Sequence, residues 1–200
     1  SNQIFRHSFT ADYYLYNIET KQLSKLFDQV QEPTLSPNGS KIAYAKANNL
    51  FIYDISTKQT LQITSDGKKN AIINGITDWV YEEEFAFVRA FDWSSDSKKL
   101  AYIRFDESQV PEFTMDIYKK ELYPTVETFK YPKAGEKNSI VSLHIYNVDS
   151  KAKKDVSLAN YSDFYIARMK WTNDANVLSA QVLNRHQDNL DLLFVDGTTG

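Results

Sequence analysis

The sequence predicts an all-β chain, a partial β-propeller of about three to four antiparallel four-stranded blades. Three observations carry that expectation: a turn motif that occurs three times, a strand-and-turn motif that occurs four times, and an aromatic-rich composition poor in glycine. The 13 Tyr, 12 Phe and 3 Trp stand against 6 Gly and 5 Pro, a balance that favours strands with large side chains over a helical bundle.

The first motif is an apolar position, a Ser or Thr turn with Asn or Asp, and then an apolar strand. It reads Leu35-Ser36-Pro37-Asn38-Gly39-Ser40-Lys41-Ile42-Ala43-Tyr44, returns as Trp93-Ser94-Ser95-Asp96-Ser97-Lys98-Lys99-Leu100-Ala101-Tyr102, and is degraded in Trp171-Thr172-Asn173-Asp174-Ala175-Asn176-Val177-Leu178. Each reads as a hairpin. The second motif is an aromatic-rich strand followed by a polar turn. It occurs at Tyr14 to Ile18, Leu50 to Ile55, Leu143 to Val148 and Leu192 to Asp196, each followed by a polar turn such as Ser56-Thr57-Lys58-Gln59.

Alternating the two motifs builds four-stranded units of roughly 40–50 residues, the period of a propeller blade. The spacing from Ser36 to Ser94 to Thr172 exceeds that period, so insertions are expected at residues 66–90 and 106–139. The chain enters inside one unit at residues 4–10 and stops at Gly200 where a further strand is expected. It therefore reads as three blades and blade fragments of a larger protein, with exposed edges at both ends. A β-sandwich with long loops is the alternative, and the paired hairpins weigh against it.

At 200 residues, 42% hydrophobic and 24% charged, the chain is globular and long enough for a sizeable core. A net charge of −3 provides no field for nucleic acid or an anionic membrane. There is no cysteine, which removes disulfides and thiol chemistry and leaves the redox compartment open. No apolar run approaches a membrane span and no basic-then-apolar leader is present. The chain starts at Ser1-Asn2 without a methionine, as a trimmed chain with a remnant at its start does, so the missing leader carries little weight.

Most catalytic signatures are missing. There is no Gly-x-Ser-x-Gly elbow, no glycine-rich phosphate loop, and no metal-ligand spacing among His7, His144 and His186. His144 reads as a packed or surface strand residue and His186 as an exposed turn residue. No catalytic residue, metal site or cofactor is expected in this chain.

Two features rise above that background. In Asp78-Trp79-Val80-Tyr81-Glu82-Glu83-Glu84 three consecutive carboxylates need a partner to offset their repulsion. They either cap a short helix and face water or, walled by Trp79, Tyr81 and Phe85, pair with an ammonium group. The second feature is Arg6, in the strand-like Phe5-Arg6-His7-Ser8-Phe9-Thr10. It reads either as an inter-strand ion pair, one of these glutamates being a candidate partner, or as a fork for a carbonyl or carboxylate.

The stretch Asn74-Gly75-Ile76-Thr77-Asp78-Trp79-Val80-Tyr81-Glu82-Glu83-Glu84 resembles the signature of the dipeptidyl peptidase IV group within the prolyl oligopeptidase family of serine peptidases. Tyr131-Pro132-Lys133-Ala134-Gly135 with Asn138, and Arg6-His7-Ser8-Phe9-Thr10, are further matches, and the resemblance covers essentially the whole chain. It implies a fragment of the N-terminal, eight-bladed propeller of a bacterial member, with an α/β-hydrolase domain as its covalent partner. The implied enzyme releases N-terminal dipeptides, Xaa-Pro or Xaa-Ala. By the same resemblance Glu83 and Glu84 bind the substrate's α-ammonium, Arg6 reaches a carbonyl of the dipeptide, and Glu82, Asp78, Trp79 and Tyr81 support them.

The family's Ser/Asp/His triad lies in the hydrolase domain, so this chain alone is expected to be inactive. The resemblance also implies a periplasmic or extracellular location. It further implies a homodimer through an extended hairpin at residues 111–131, opened by Pro111 and closed by Tyr131. There Phe113, Met115, Ile117, Tyr118, Leu122 and Tyr123 offer apolar surface, or else fold back on their own blade. Asn184-Arg185-His186-Gln187-Asp188-Asn189 lies where the family has an arginine, a glutamine and an asparagine, with His186 at a position that is usually apolar. Two other readings stay open: a propeller piece that binds a protein or peptide through its acidic run, and a pseudo-peptidase whose downstream domain lacks its serine.

Overall fold

Each repeated turn reverses the chain, with a strand on either side. In the computed structural model, which describes residues 1–200, β1 (Asn2–Gln3), β2 (Phe9–Asn17), β3 (Gln22–Leu35), β4 (Lys41–Lys46), β5 (Asn49–Asp54) and β6 (Gln59–Gln62) form one antiparallel sheet in sequential order. β3 serves two partners, β2 along its first part and β4 along its last, and the register against β4 slips between Gln31 and Thr34. Gln29 and Glu32 take φ of 51° and 52° there. These left-handed residues bend the strand so that one half ends a blade and the other begins the next.

The next segment holds β7 (Ile72–Asn74), α1 (Trp79–Glu84), β8 (Phe91–Trp93), β9 (Lys99–Asp106), β10 (Glu112–Ile117), β11 (Thr125–Lys130), β12 (Ile140–Asn147) and β13 (Lys153–Asp155). β8, β9, β12 and β13 make a second complete blade, and β7 lies end to end with β8 along the same edge of β9. β14 (Phe164–Trp171), β15 (Val177–Asn184) and β16 (Leu190–Asp196) form a three-stranded sheet. The protein is thus an open propeller segment: two complete blades between two partial ones.

The motifs have physical reasons. In the first, the Ser36 and Ser94 hydroxyls accept the N–H of Lys41 and Lys99 at 3.0 and 2.9 Å and donate to Asn38 and Asp96 at 2.8 and 2.6 Å. In the second, Asn17, Asp54, Asn147 and Asp196 each accept the N–H groups two and three residues on, the Asx turn that selects Asn or Asp there. The tryptophans tie blade to blade. Trp93 Nε1 donates to the Thr34 carbonyl at 3.2 Å, and Trp171 Nε1 to the Asp92 carbonyl at 3.1 Å, the same bond one blade apart.

Both expected insertions leave the second blade. The first leaves β7 at Gly75 and returns to β8 at Ala90. Its two legs are joined by the Ile76 to Arg89 bridge and by bonds from Thr77 N–H to the Val88 carbonyl and Ala90 N–H to the Gly75 carbonyl, at 3.0 and 2.9 Å. The apolar stretch after the glutamates is a loop as far as Ala90, and only Phe91 starts a strand. The second insertion is the β10–β11 hairpin, paired from Glu112–Lys130 to Ile117–Thr125. Its base folds back, with Phe113, Phe129 and Tyr131 in mutual contact, while Tyr118, Leu122 and Tyr123 at the tip are 70%, 85% and 78% exposed. A core of 25 buried residues runs through both complete blades into the third sheet.

Gly75 sits where the excursion departs, at φ +74°, and a Cβ there would fall 2.5 Å from Leu50 Cδ2. Gly75→Ala is expected to destabilise the protein by about 1–3 kcal/mol, read as a lower denaturant midpoint with an unchanged slope. An unchanged midpoint would show that the departure is not constrained at this residue.

Candidate functional site

A helix of six residues cannot stand on hydrogen bonding alone, and α1 is held from three sides. Asp78 caps it: one carboxylate oxygen accepts Tyr81 N–H at 3.0 Å and the other accepts the Ser139 hydroxyl at 2.6 Å. Asp78 is buried, and burial raises its pKa against those hydrogen bonds. Tyr81 turns into the core at 1% exposure, against Phe85, Phe105 and Tyr165, and its hydroxyl accepts Ile166 N–H at 3.0 Å. That N–H lies at the bulge in the β14–β15 ladder between Ile166 and Arg168. Trp79 packs on Tyr131, ring centroids 4.3 Å apart.

Successive helical residues point about 100° apart, so the three glutamates enter three environments. Glu82 is 1% exposed, and one of its oxygens accepts the N–H groups of His7 and Ser8, at 2.5 and 2.9 Å. Its other oxygen is buried without a partner. Glu83, its side chain 16% exposed, holds Arg6 Nε at 3.0 Å. Glu84 is exposed, and lines an open groove of about 450 Å³ with Trp79, Tyr131, Asn138, Arg185 and Gln187.

Arg6 sits on a bend between β1 and β2, not in the strand expected from its flanks. Gln3 Nε2 donates to the Arg6 carbonyl at 3.1 Å, and Ser8 Oγ accepts Phe5 N–H at 3.2 Å. The pair it makes is therefore bend to helix rather than strand to strand. The side chain remains 70% exposed, so most of the guanidinium faces solvent beside Glu83. Two carboxylates against one guanidinium leave a net negative charge at the free end of α1. Behind them, burial raises the pKa of Glu32, with Arg89 opposing and Glu82 adding repulsion.

The structure gathers Arg6, Glu82 and Glu83 through direct bonds, and Glu84 and Trp79 through the groove. The Tyr131-to-Gly135 stretch and the Asn184-to-Asn189 turn, distant in sequence, meet in that same groove. There Asn138 Nδ2 donates to the Tyr165 hydroxyl at 2.6 Å and Arg185 Nη2 donates to the Glu136 carbonyl at 2.7 Å. Ser139 and the His7 and Ser8 amides carry no signal in the sequence, because a partner 61–75 residues away leaves no local pattern. His144 is buried between Ser142 and Asp155, at 2.8 and 2.7 Å, where burial lowers its pKa; His186 lies in an exposed turn. No cluster of three or more His, Asp and Glu residues is placed to hold a metal ion.

An open propeller segment with an acidic helix set against an arginine defines the class. The family model described as "Dipeptidyl peptidase IV (DPP IV) N-terminal region" matches residues 1–200, and the chain belongs to that family. The crystal structure of Porphyromonas gingivalis dipeptidyl peptidase 4 superposes with a TM-score of 0.93 at 43% identity, over 98% of this chain and 28% of that one. The "Probable dipeptidyl-aminopeptidase B" of Talaromyces stipitatus is 35% identical over 96% of this chain and 23% of its own length. Human "Prolyl endopeptidase FAP" is 34% identical over 88% of this chain and 24% of its own. The chain therefore spans about a quarter of these relatives.

Tyr81→Phe removes the acceptor of the buried Ile166 N–H and is expected to cost about 1–3 kcal/mol, seen in chemical denaturation. A neutral result would mean that the hydroxyl does not join α1 to the third sheet.

Proposed function

We propose that this chain is the substrate-recognition part of a serine exopeptidase that releases N-terminal dipeptides, Xaa-Pro or Xaa-Ala, with Glu83 and Glu84 binding the free α-ammonium. Arg6 turns its remaining guanidinium N–H groups to a carbonyl of the bound dipeptide. The observation that carries this reading is the division of labour within one helical turn. One Glu82 oxygen is taken by backbone N–H groups and the other is buried, whereas Glu83 pairs with Arg6 at 16% side-chain exposure and Glu84 is exposed.

The chemistry follows from desolvation. An ammonium group offers three donors to two carboxylates as charge-assisted bonds. An internal peptide segment brings no positive charge and would leave the carboxylates desolvated and unpaired. Fixing the amine at α1 fixes how far the peptide enters, so a nucleophile at constant distance cuts after a constant number of residues. The names of the relatives support a peptidase, and the human relative's name says endopeptidase. Discrimination between a free and a blocked amine is thus what the reading must explain.

The nucleophile and its Asp and His partners are assigned to an α/β-hydrolase domain in the remainder of the protein. The exposed tip of the β10–β11 hairpin, with Tyr118, Leu122 and Tyr123, suits a homodimer contact, its aromatic and aliphatic side chains being of the kind that interfaces bury. A periplasmic or extracellular location is part of the same proposal.

In the full-length protein, Glu83→Gln and Glu84→Gln are each expected to lower kcat/KM for a glycyl-prolyl anilide by about 10²-fold or more. The N-acetylated anilide should be turned over poorly by wild type and variants alike. Cleavage of the free-amine substrate at an unchanged rate by both variants would overturn the assignment.

A further inference from the structure

Behind the bend that carries Arg6 lies a cavity of about 290 Å³, walled by that bend, by β7 and by the base of the β10–β11 hairpin. Glu83, Glu84 and Trp79 do not line it. Glu107 does, and it is only 6% exposed. Its main chain is fixed, the N–H donating to the Ala71 carbonyl at 2.8 Å and the carbonyl accepting Val110 N–H at 3.0 Å. Its carboxyl has no such anchor, and no hydrogen bond offsets its burial.

Lys130, the cation that acts on Glu107, is already committed. Its ammonium donates to the Val110 carbonyl at 2.8 Å and lies 3.6 Å from Glu112. Lys69 is on the exposed rim. Ile4, Phe5, Ile73, Ile76 and Phe129 are the apolar part of the cavity wall, and the other eleven lining residues are polar or charged. A buried carboxylate with no hydrogen-bond partner, on a cavity of this size with apolar side chains in its wall, is half of a recognition site. The missing half is a compact apolar body with one ammonium group.

We propose that this cavity is a second amine site, separate from α1, which takes a small primary ammonium with a compact aliphatic body, the ammonium on Glu107 and the body among Ile4, Phe5, Ile73 and Phe129. The site does not rest on the proposed peptidase function, since neither of the proposed ammonium ligands contributes to it. Burial and then the Asp78 carboxylate push Glu107 up to about 7, with Lys130 opposing and Asp106 adding to the rise. Lys69 and Glu127 are the other charged groups around the cavity. The amine stays protonated across that range while the carboxylate becomes available, so affinity should increase as pH rises through about 7 and level off above it.

The test is equilibrium dialysis of radiolabelled isobutylamine against the full-length protein carrying Glu83→Gln and Glu84→Gln, which silences the other amine site. One saturable site is expected at pH 8, at least tenfold weaker at pH 5.5. Adding Glu107→Gln, with an unchanged thermal melt as the folding check, should weaken it at least tenfold, and isobutanol should not compete. Competition by valine would identify amino acids as the ligand source, and exclusion of valine would identify simple amines. Absence of saturable binding, or binding that Glu107→Gln leaves unchanged, would overturn the proposal.

Discussion

One buried carboxylate organises the proposed recognition site. Glu82 accepts two consecutive backbone N–H groups, of His7 and Ser8, and so ties the bend between β1 and β2 to α1 across more than seventy residues of chain. Backbone N–H groups on a loop must find acceptors, and a carboxylate makes stronger bonds to them than a carbonyl does. Through this tie Arg6 is delivered to Glu83.

α1 is itself anchored from three sides. Asp78 locks its start against Ser139, Tyr81 roots its underside in the core and onto β14, and Trp79 leans on Tyr131 at the hairpin base. Each anchor belongs to a different part of the fold: the approach to β12, the next blade, and the insertion. A short helix placed by tertiary contacts rather than by its own hydrogen bonds can present two carboxylates at a fixed position. Charge recognition requires that fixity, because attraction between desolvated groups is only as good as their geometry.

Much of the fold was legible in the sequence because a propeller repeats its turn chemistry. Ser36 and Ser94, and Asn17, Asp54, Asn147 and Asp196, make local bonds within a few residues, which a linear pattern records. The double use of β3 was not legible, since its bend rests on positive φ at Gln29 and Glu32 rather than on glycine. In the site, the charge cluster and Arg6 were visible as residue types out of place. What divides the cluster was not visible, because the partners of Glu82 and Asp78 are remote in sequence. Alternation in Phe5 to Thr10 mimics a strand, whereas Ser8 and Gln3 fold that stretch into a bend that carries Arg6.

Glu83 and Glu84 are proposed to receive a free amine while Glu82 stays on the His7 and Ser8 amides. The most direct measurement is a crystal structure of the full-length protein with a dipeptide product bound. The α-ammonium nitrogen is expected at about 3 Å from carboxylate oxygens of both Glu83 and Glu84, with Glu82 still on the His7 and Ser8 amides. An ammonium bound elsewhere, or one paired with Glu82 after release of those amides, would contradict it.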